Sequence, residues 1–206
     1  MDFSGPSPTP KSPLTKSTIV PPIPTPSYPT SGTWSVQTST SILAPLKTVL
    51  ATSLDHSNWS KWNSMVSQTT PIPPTSASKS SSSRKLEVGA QLSFHSRMKL
   101  DGPRSSANSD HEIVSVSSFT QDGRKAARIV WKTIGLPLGT WLMTAERVQE
   151  FVEIGLGKGK MGTEYKTWGT FGGPLAYLLT WNGRREDVSE RFGDWAGDLK
   201  AFAEKE

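Results

Sequence analysis

The pair Glu146-Arg147 lies in the middle of a stretch, residues 141–154, whose apolar residues alternate as in a strand. Successive strand side chains point to opposite faces, so at most one of the two faces a core. Arg147 shares its face with Trp141, Met143 and Phe151, whereas Glu146 goes with Leu142 and Val148. An inward guanidinium could polarise a ligand carbonyl by donating to its oxygen. Cross-strand pairing with Glu164 or Lys166 is the purely structural alternative. His95, opposite in phase to Phe94, and His111, at the start of another strand, each offer an imidazole that could act as a base. A lone histidine is more often simply exposed or hydrogen-bonded locally, which is the structural alternative for both. The Tyr165 hydroxyl could bond a ligand oxygen while its ring packs, and Trp131, Trp141, Trp168, Trp181 and Trp195 could wall a pocket for rings or polyenes or simply fill a core.

Other chemistry is missing. The chain has no cysteine, and its three histidines share no metal-ligand spacing, so neither a thiolate site nor a metal site is expected. No paired carboxylates and no nucleophile beside a base stand out, and no cofactor is implied. The run from Gly155 to Gly162 has the look of a phosphate loop. It lacks the Ser or Thr after Gly-Lys and leads into a strand, so it reads as a hairpin turn. This pattern favours binding over catalysis.

The elements that must position these side chains are strands and one helix. Residues 173–206 carry an apolar stripe at steps of three and four: Leu178, Trp181, Arg185, Val188, Phe192, Trp195, Leu199 and Phe202. Those positions share one side of a long helix. Arg185 alone interrupts the stripe. It reads either as a cation at a pocket mouth or as a solvated arginine near Asn182-Gly183, where a kink or break is expected. Upstream, Trp34, Val36, Thr38, Thr40 and Ile42 alternate as a half-buried strand. Ala44-Pro45 then opens a short helix with Leu46, Val49, Leu50 and Leu54 inward, and residues 55–63 make a second short helix or turn holding Trp59 and Trp62. Six further strands are expected at residues 64–70, 86–98, 111–120, 124–133, 141–154 and 162–171. Asp122-Gly123 suits a tight hairpin turn. Strands joined by short turns imply one antiparallel sheet of about seven strands.

The first 31 residues are mainly Pro, Ser and Thr and are expected to be a disordered tail, within which Pro21-Pro22-Ile23-Pro24 could serve as a polyproline docking peptide. The domain proper is expected over residues 32–206, with a low-complexity insertion at 71–83. The formal charge of +5 is spread among acids, as in Arg184-Arg185-Glu186-Asp187, rather than gathered into a basic stripe, so no nucleic-acid partner is expected. No apolar run is long enough for an integral membrane segment, and the N-terminus shows neither a secretory nor a transit pattern. A cytoplasmic protein is the expectation.

The order of motifs resembles a known family. Ile42-Leu43-Ala44-Pro45 after a strand, then Val49, Leu54-Asp55 and Trp62-Asn63, is similar to the opening of START-like, SRPBCC-type proteins. Val88-Gly89, Val130-Trp131, Glu146-Arg147-Val148, Gly162-Thr163-Glu164-Tyr165 and Phe171-Gly172-Gly173-Pro174-Leu175-Ala176 continue the likeness, and Leu199-Lys200 with Ala203-Glu204 close it. The polyketide cyclase/dehydrase branch is the most similar, and the coenzyme Q-binding branch is related. The resemblance implies an α+β helix-grip fold: a curved antiparallel sheet wrapped around a long C-terminal helix, with two short helices after the first strand. It implies a cavity between sheet and helix that binds a hydrophobic small molecule, whether lipid, isoprenoid or polyketide-like. A cyclase or dehydratase using the same cavity is the alternative, with Arg147 or His95 as its candidate catalytic groups. The expected cavity wall is Phe94, Trp131, Trp141, Met143, Arg147, Tyr165, Leu178, Trp181, Arg185, Val188 and Phe192. Two departures from the family stand out. Many relatives carry an acid after the tryptophan of the last strand, where this chain has Gly169, and the serine-rich insertion before Leu86 is longer than usual.

Overall fold

A computed structural model of the chain describes residues 16–30, 32–73, 85–97, 106–136 and 139–205. Eight strands form one antiparallel sheet: β1 (Thr18–Val20), β2 (Trp34–Ile42), β3 (Val66–Pro71), β4 (Gln91–Arg97), β5 (Ser106–Gln121), β6 (Arg124–Ile134), β7 (Thr144–Gly157) and β8 (Lys160–Gly172). Their spatial order is β1-β2-β8-β7-β6-β5-β4-β3, so β3 to β8 run as a meander and β8 closes back onto β2. The turns follow from local chemistry. Asp122 and Gly123 both take positive φ between β5 and β6, and Lys158 and Gly159 do so between β7 and β8. The glycine-rich run is therefore a hairpin, as its sequence implies. Expected strand ends shift by a few residues, and Met98 lies outside the described residues.

The helices sit on one face of this sheet. α1 (Leu46–Leu54) starts at Pro45, a short 3-10 turn follows at His56–Asn58, and α2 (Trp59–Trp62) completes the brace between β2 and β3. The C-terminal helix is two helices, α3 (Pro174–Trp181) and α4 (Arg184–Ala203). The break falls at Asn182-Gly183, where Gly183 adopts φ +67°, a conformation that ends one helix before the next begins. α4 alone carries the gripped stripe: Phe192, Trp195, Leu199 and Ala203 are buried against the sheet.

The core concentrates at one end of the space between sheet and α4. Trp59, fully buried, is ringed by Phe94, Trp131 and Trp195 at centroid distances of 5.4, 5.7 and 5.0 Å. The contacts to Phe94 and Trp195 are edge-on, an arrangement that adds about 0.5–1.5 kcal/mol each beyond burial.

The sequence-based count of strands needs correcting, because part of the expected tail is folded. Residues 18–20 pair with β2 as an eighth strand, and residues 21–30 continue as a strap across the convex face. Ile23 covers the outer cluster of Val130, Val148 and Trp168. The Ile23 amide donates to Ser35 Oγ at 2.8 Å, and its carbonyl accepts from Thr170 Oγ1 at 2.6 Å. Ser27 donates to the buried Glu146 carboxylate through its amide at 2.8 Å and its hydroxyl at 2.6 Å. Prolines suit such a strap: they cannot donate, and the segment's anchoring bonds come from non-proline residues. Within Pro21 to Pro24, Ile23 packs on the protein's own sheet and the three prolines stay exposed. Residues 1–15 and the bulk of the 71–83 insertion lie outside the described residues.

Candidate functional site

The remaining space between sheet and helices is a cavity of about 650 Å³. Sheet residues from β4 to β8, the residue pair Leu175 and Leu179 of α3, and Val188, Phe192 and Trp195 of α4 enclose it. Asn182, Gly183 and Arg184, all exposed, mark its mouth at the α3–α4 break. The volume falls within the ~300–1,000 Å³ typical of small-molecule sites.

Arg147 is the buried cation of the wall, to which Arg184 and Asp187 of α4 also contribute. One row of directly opposed residues crosses the sheet: Ile113, Trp131, Arg147, Gly169 and Val36. The Arg147 guanidinium is enclosed by aromatic rings, its Cζ lying 4.2 Å from the Phe192 centroid, 4.6 Å from Trp195 and 5.6 Å from Trp131. Nε donates to Thr167 Oγ1 at 3.0 Å, and that hydroxyl donates onward to the Val148 carbonyl at 2.8 Å. Among the described residues Nη2 has no hydrogen-bond partner. Burial pushes the Arg147 pKa down, with the nearby Tyr165 hydroxyl opposing the shift. Among the described residues no carboxylate forms an ion pair with it. Its sequence neighbour Glu146 points the other way, into the strap, so of the adjacent pair only the cation faces the cavity.

His111 is the second polar group. It stacks on Phe94 with centroids 4.2 Å apart, and Nε2 shares a hydrogen bond of 2.8 Å with Ser109 Oγ. Nδ1 is buried and has no hydrogen-bond partner among the described residues. Burial, reinforced by the Arg147 charge, lowers its pKa to about 3, so the imidazole is neutral at physiological pH.

Of the expected wall, Phe94, Trp131, Met143, Arg147, Val188 and Phe192 line the cavity. Five residues do not. Trp141 sits in a 3-10 turn (Gly139–Trp141) before β7 begins and is 69% exposed. Trp181 and Leu178 are 89% and 46% exposed, because the break at Gly183 puts α3 out of phase with α4 and turns Leu175 and Leu179 inward instead. Arg185 pairs with Glu186 at 2.9 Å outside the cavity. Tyr165 is fully buried on the inner side, outside the cavity wall, donating to Gln149 Oε1 at 2.6 Å. Among the candidate bases, His95 lies on the edge-ward strand β4, out of phase with Phe94 and outside the cavity. The cross-strand partners expected for Glu146 and Arg147 are also different: Thr170 and Gly169 stand there, and Glu164 faces Val152.

Several wall residues carried no signal in the sequence. Ser109, Thr133 and Leu136 come from strand ends and loops, and Leu175 and Leu179 lie off the continuous helical stripe. Their inward placement depends on the strand register and the helix break. Among the described residues no group of histidine, aspartate or glutamate could hold a metal ion, and no helix is long and apolar enough to cross a membrane.

No family model matches the chain. It is 30% identical over 149 residues to the oxopyrrolidines biosynthesis cluster protein O of Penicillium oxalicum, an alignment covering 69% of this chain and 73% of that protein. The chain belongs to the family of that protein. In structure, it is similar to the hypothetical protein jhp0584 from Helicobacter pylori, with a TM-score of 0.56 at 13% identity over 82% of this chain and 86% of the other. That likeness shows a shared fold. The di-domain ARO/CYC BexL of the BE-7585A biosynthetic pathway gives a TM-score of 0.49 at 18% identity, covering 83% of this chain and 48% of that one, so the chain spans about half of the di-domain protein.

Proposed function

We propose that the protein binds a hydrophobic small molecule, polyketide-like in character, in the cavity between the sheet and the α3–α4 pair. The observation that carries this reading is the cavity itself: about 650 Å³ bounded by aromatic and aliphatic side chains, with its mouth at the helix break. Membership of a family whose named member belongs to an oxopyrrolidines biosynthesis cluster supports a small carbonyl-bearing ring or its precursor as the cargo. The motif order supports placing the family within the START-like, SRPBCC superfamily. Native mass spectrometry of purified protein, followed by titration with a neutral polarity-sensitive dye, tests this. Saturable dye binding that a co-purified molecule competes away is expected. Absence of any saturable apolar ligand would overturn it.

Cyclase or dehydratase chemistry is the second reading, favoured by one observation: Arg147 could stabilise an enolate oxygen formed beside it. His111 suits that reading poorly, since an imidazole with a pKa of about 3 is a weak base near neutrality. Turnover of a linear poly-β-carbonyl substrate, lost in Arg147→Met, would favour catalysis; unchanged substrate bound in stoichiometric amount favours carriage.

A further inference from the structure

Resting on the small-molecule reading above, we propose that the cavity takes a ligand whose buried end is a delocalised oxyanion. That chemistry is shared by a carboxylate and an enolised β-dicarbonyl. The Arg147 guanidinium is its counterion and the His111 imidazole its second polar contact.

The argument begins with charge. A buried guanidinium without a carboxylate is costly, and evolution commonly pairs such groups. Among the described residues, the carboxylates nearest in sequence and along the wall are diverted. The residue directly opposite on β8 is Gly169, which has no side chain, and a Cβ there would lie 2.4 Å from Phe192 Cζ. Glu146 is turned to the convex face and bound by Ser27. Asp187 lines the cavity on the first turn of α4, beside exposed Arg184 at the mouth, and has partners of its own. The Tyr165 phenol is held neutral by burial, which raises its pKa. Three ring faces temper the cation without neutralising it. The inner wall therefore carries a buried cation without a carboxylate partner among the described residues, which a bound oxyanion would complete.

Geometry narrows the class. Arg147 retains an unpartnered Nη2, and His111 an unpartnered Nδ1. Because Nε2 of the imidazole faces a hydroxyl that can rotate to donate or accept, Nδ1 can take either role. A carboxylate would accept from both residues. The enolate of a β-dicarbonyl would place one oxygen on Arg147 and accept from the Nδ1–H tautomer of His111 with the other. A phosphate ester would bring more oxygens than these two side chains can satisfy in an otherwise apolar wall.

The test uses two matched pairs of probes on the full chain: dodecanoate against methyl dodecanoate, and a dodecanoyl cyclic β-diketone against its enol methyl ether. Affinities are read by quenching of tryptophan fluorescence, since Trp131 and Trp195 form part of the wall. We expect each oxyanion, or one of them, to bind roughly ten- to hundredfold more tightly than its methylated partner, the scale of a charge-assisted hydrogen bond. The pair showing the larger ratio identifies the source of the oxyanion. In Arg147→Met the ratio should collapse while affinity for the neutral probes is kept, and Arg147→Lys should restore part of it. The diketone's ionisation midpoint, followed by its own absorbance, should fall on binding to the parent protein. That readout needs no variant to fold. Equal binding of charged and neutral probes, or a preference surviving in Arg147→Met, would overturn the oxyanion assignment and leave the apolar cavity standing. Failure of all four probes and of the neutral dye would remove both.

Discussion

Arg147 and Gly169 oppose one another across the β7–β8 ladder, and the glycine leaves room for the Phe192 ring to lie on the guanidinium. The sheet, the charged group and the helix are therefore fitted to one another at a single point. Replacing Gly169 by alanine forces the new methyl to within 2.4 Å of Phe192 Cζ and 3.0 Å of Cε1. A loss of about 1–3 kcal/mol is expected, the usual cost of overpacking. Adding Phe192→Ala should make the glycine substitution nearly free, so a double-mutant cycle by urea denaturation should show strong coupling. Additive losses would mean that the two residues do not compete for the same space.

Removal of residues 1–30 should destabilise the protein, because part of the expected tail is folded onto the sheet. It takes away β1, the cover that Ile23 gives to Trp168, and the bonds to Ser35, Thr170 and Glu146. Burial of one isoleucine at ~1.5 kcal/mol and a few hydrogen bonds near ~1 kcal/mol each set the expected loss at ~2 kcal/mol or more. An unchanged urea midpoint would show that the strap contributes nothing to stability.

Trp181→Ser should leave stability within ~0.5 kcal/mol of the parent and neutral-dye binding intact, because the indole is 89% exposed. Trp195→Ala, by contrast, should cost ~3–5 kcal/mol, because that ring is fully buried among Trp59, Trp62 and Trp131. Thermal melts and dye titrations of the two variants separate an outward tryptophan from a core one.

His111 should make stability sensitive to mild acid. In the unfolded chain it takes up a proton below about 6.5, whereas in the folded protein it does so only below about 3. Between those values the unfolded state holds the extra proton, so acidification favours unfolding by up to ~1.4 kcal/mol per pH unit from this residue. Its contribution is fully present above about 6.5. Urea midpoints of the parent should fall more steeply than those of His111→Gln as pH drops from 6.5 toward 4. Parallel profiles would show that the imidazole is not sequestered.

The central architecture was legible because it rests on local pattern. Alternation located six strands and the Trp34 strand, Asp122-Gly123 marked its hairpin, and Asn182-Gly183 marked the helix break. Phase put Arg147 on the face of Met143 and Phe151 and Glu146 on that of Leu142 and Val148, but with apolar residues on both faces it could not decide which face is inward. Period alone could not show that the break rotates α3, so Leu178 and Trp181 were expected inside while Leu175 and Leu179 took that role. Nor could composition show that a proline-rich leader would fold. Its few apolar residues suffice because Ile23 meets a ready-made patch and Glu146 offers a waiting acceptor, both supplied by residues more than a hundred positions away.

The strap also constrains the order of assembly. Ser27 and Ile23 are made early in synthesis, yet their partners Glu146 and Thr170 lie 119 and 147 residues further along. A ribosome must release most of the polypeptide before those bonds can form, and closing loops of that length is entropically slow. The segment that emerges among the first is thus fastened among the last, and until then the hydrophobic back of the sheet stays open to any chaperone that meets the nascent chain.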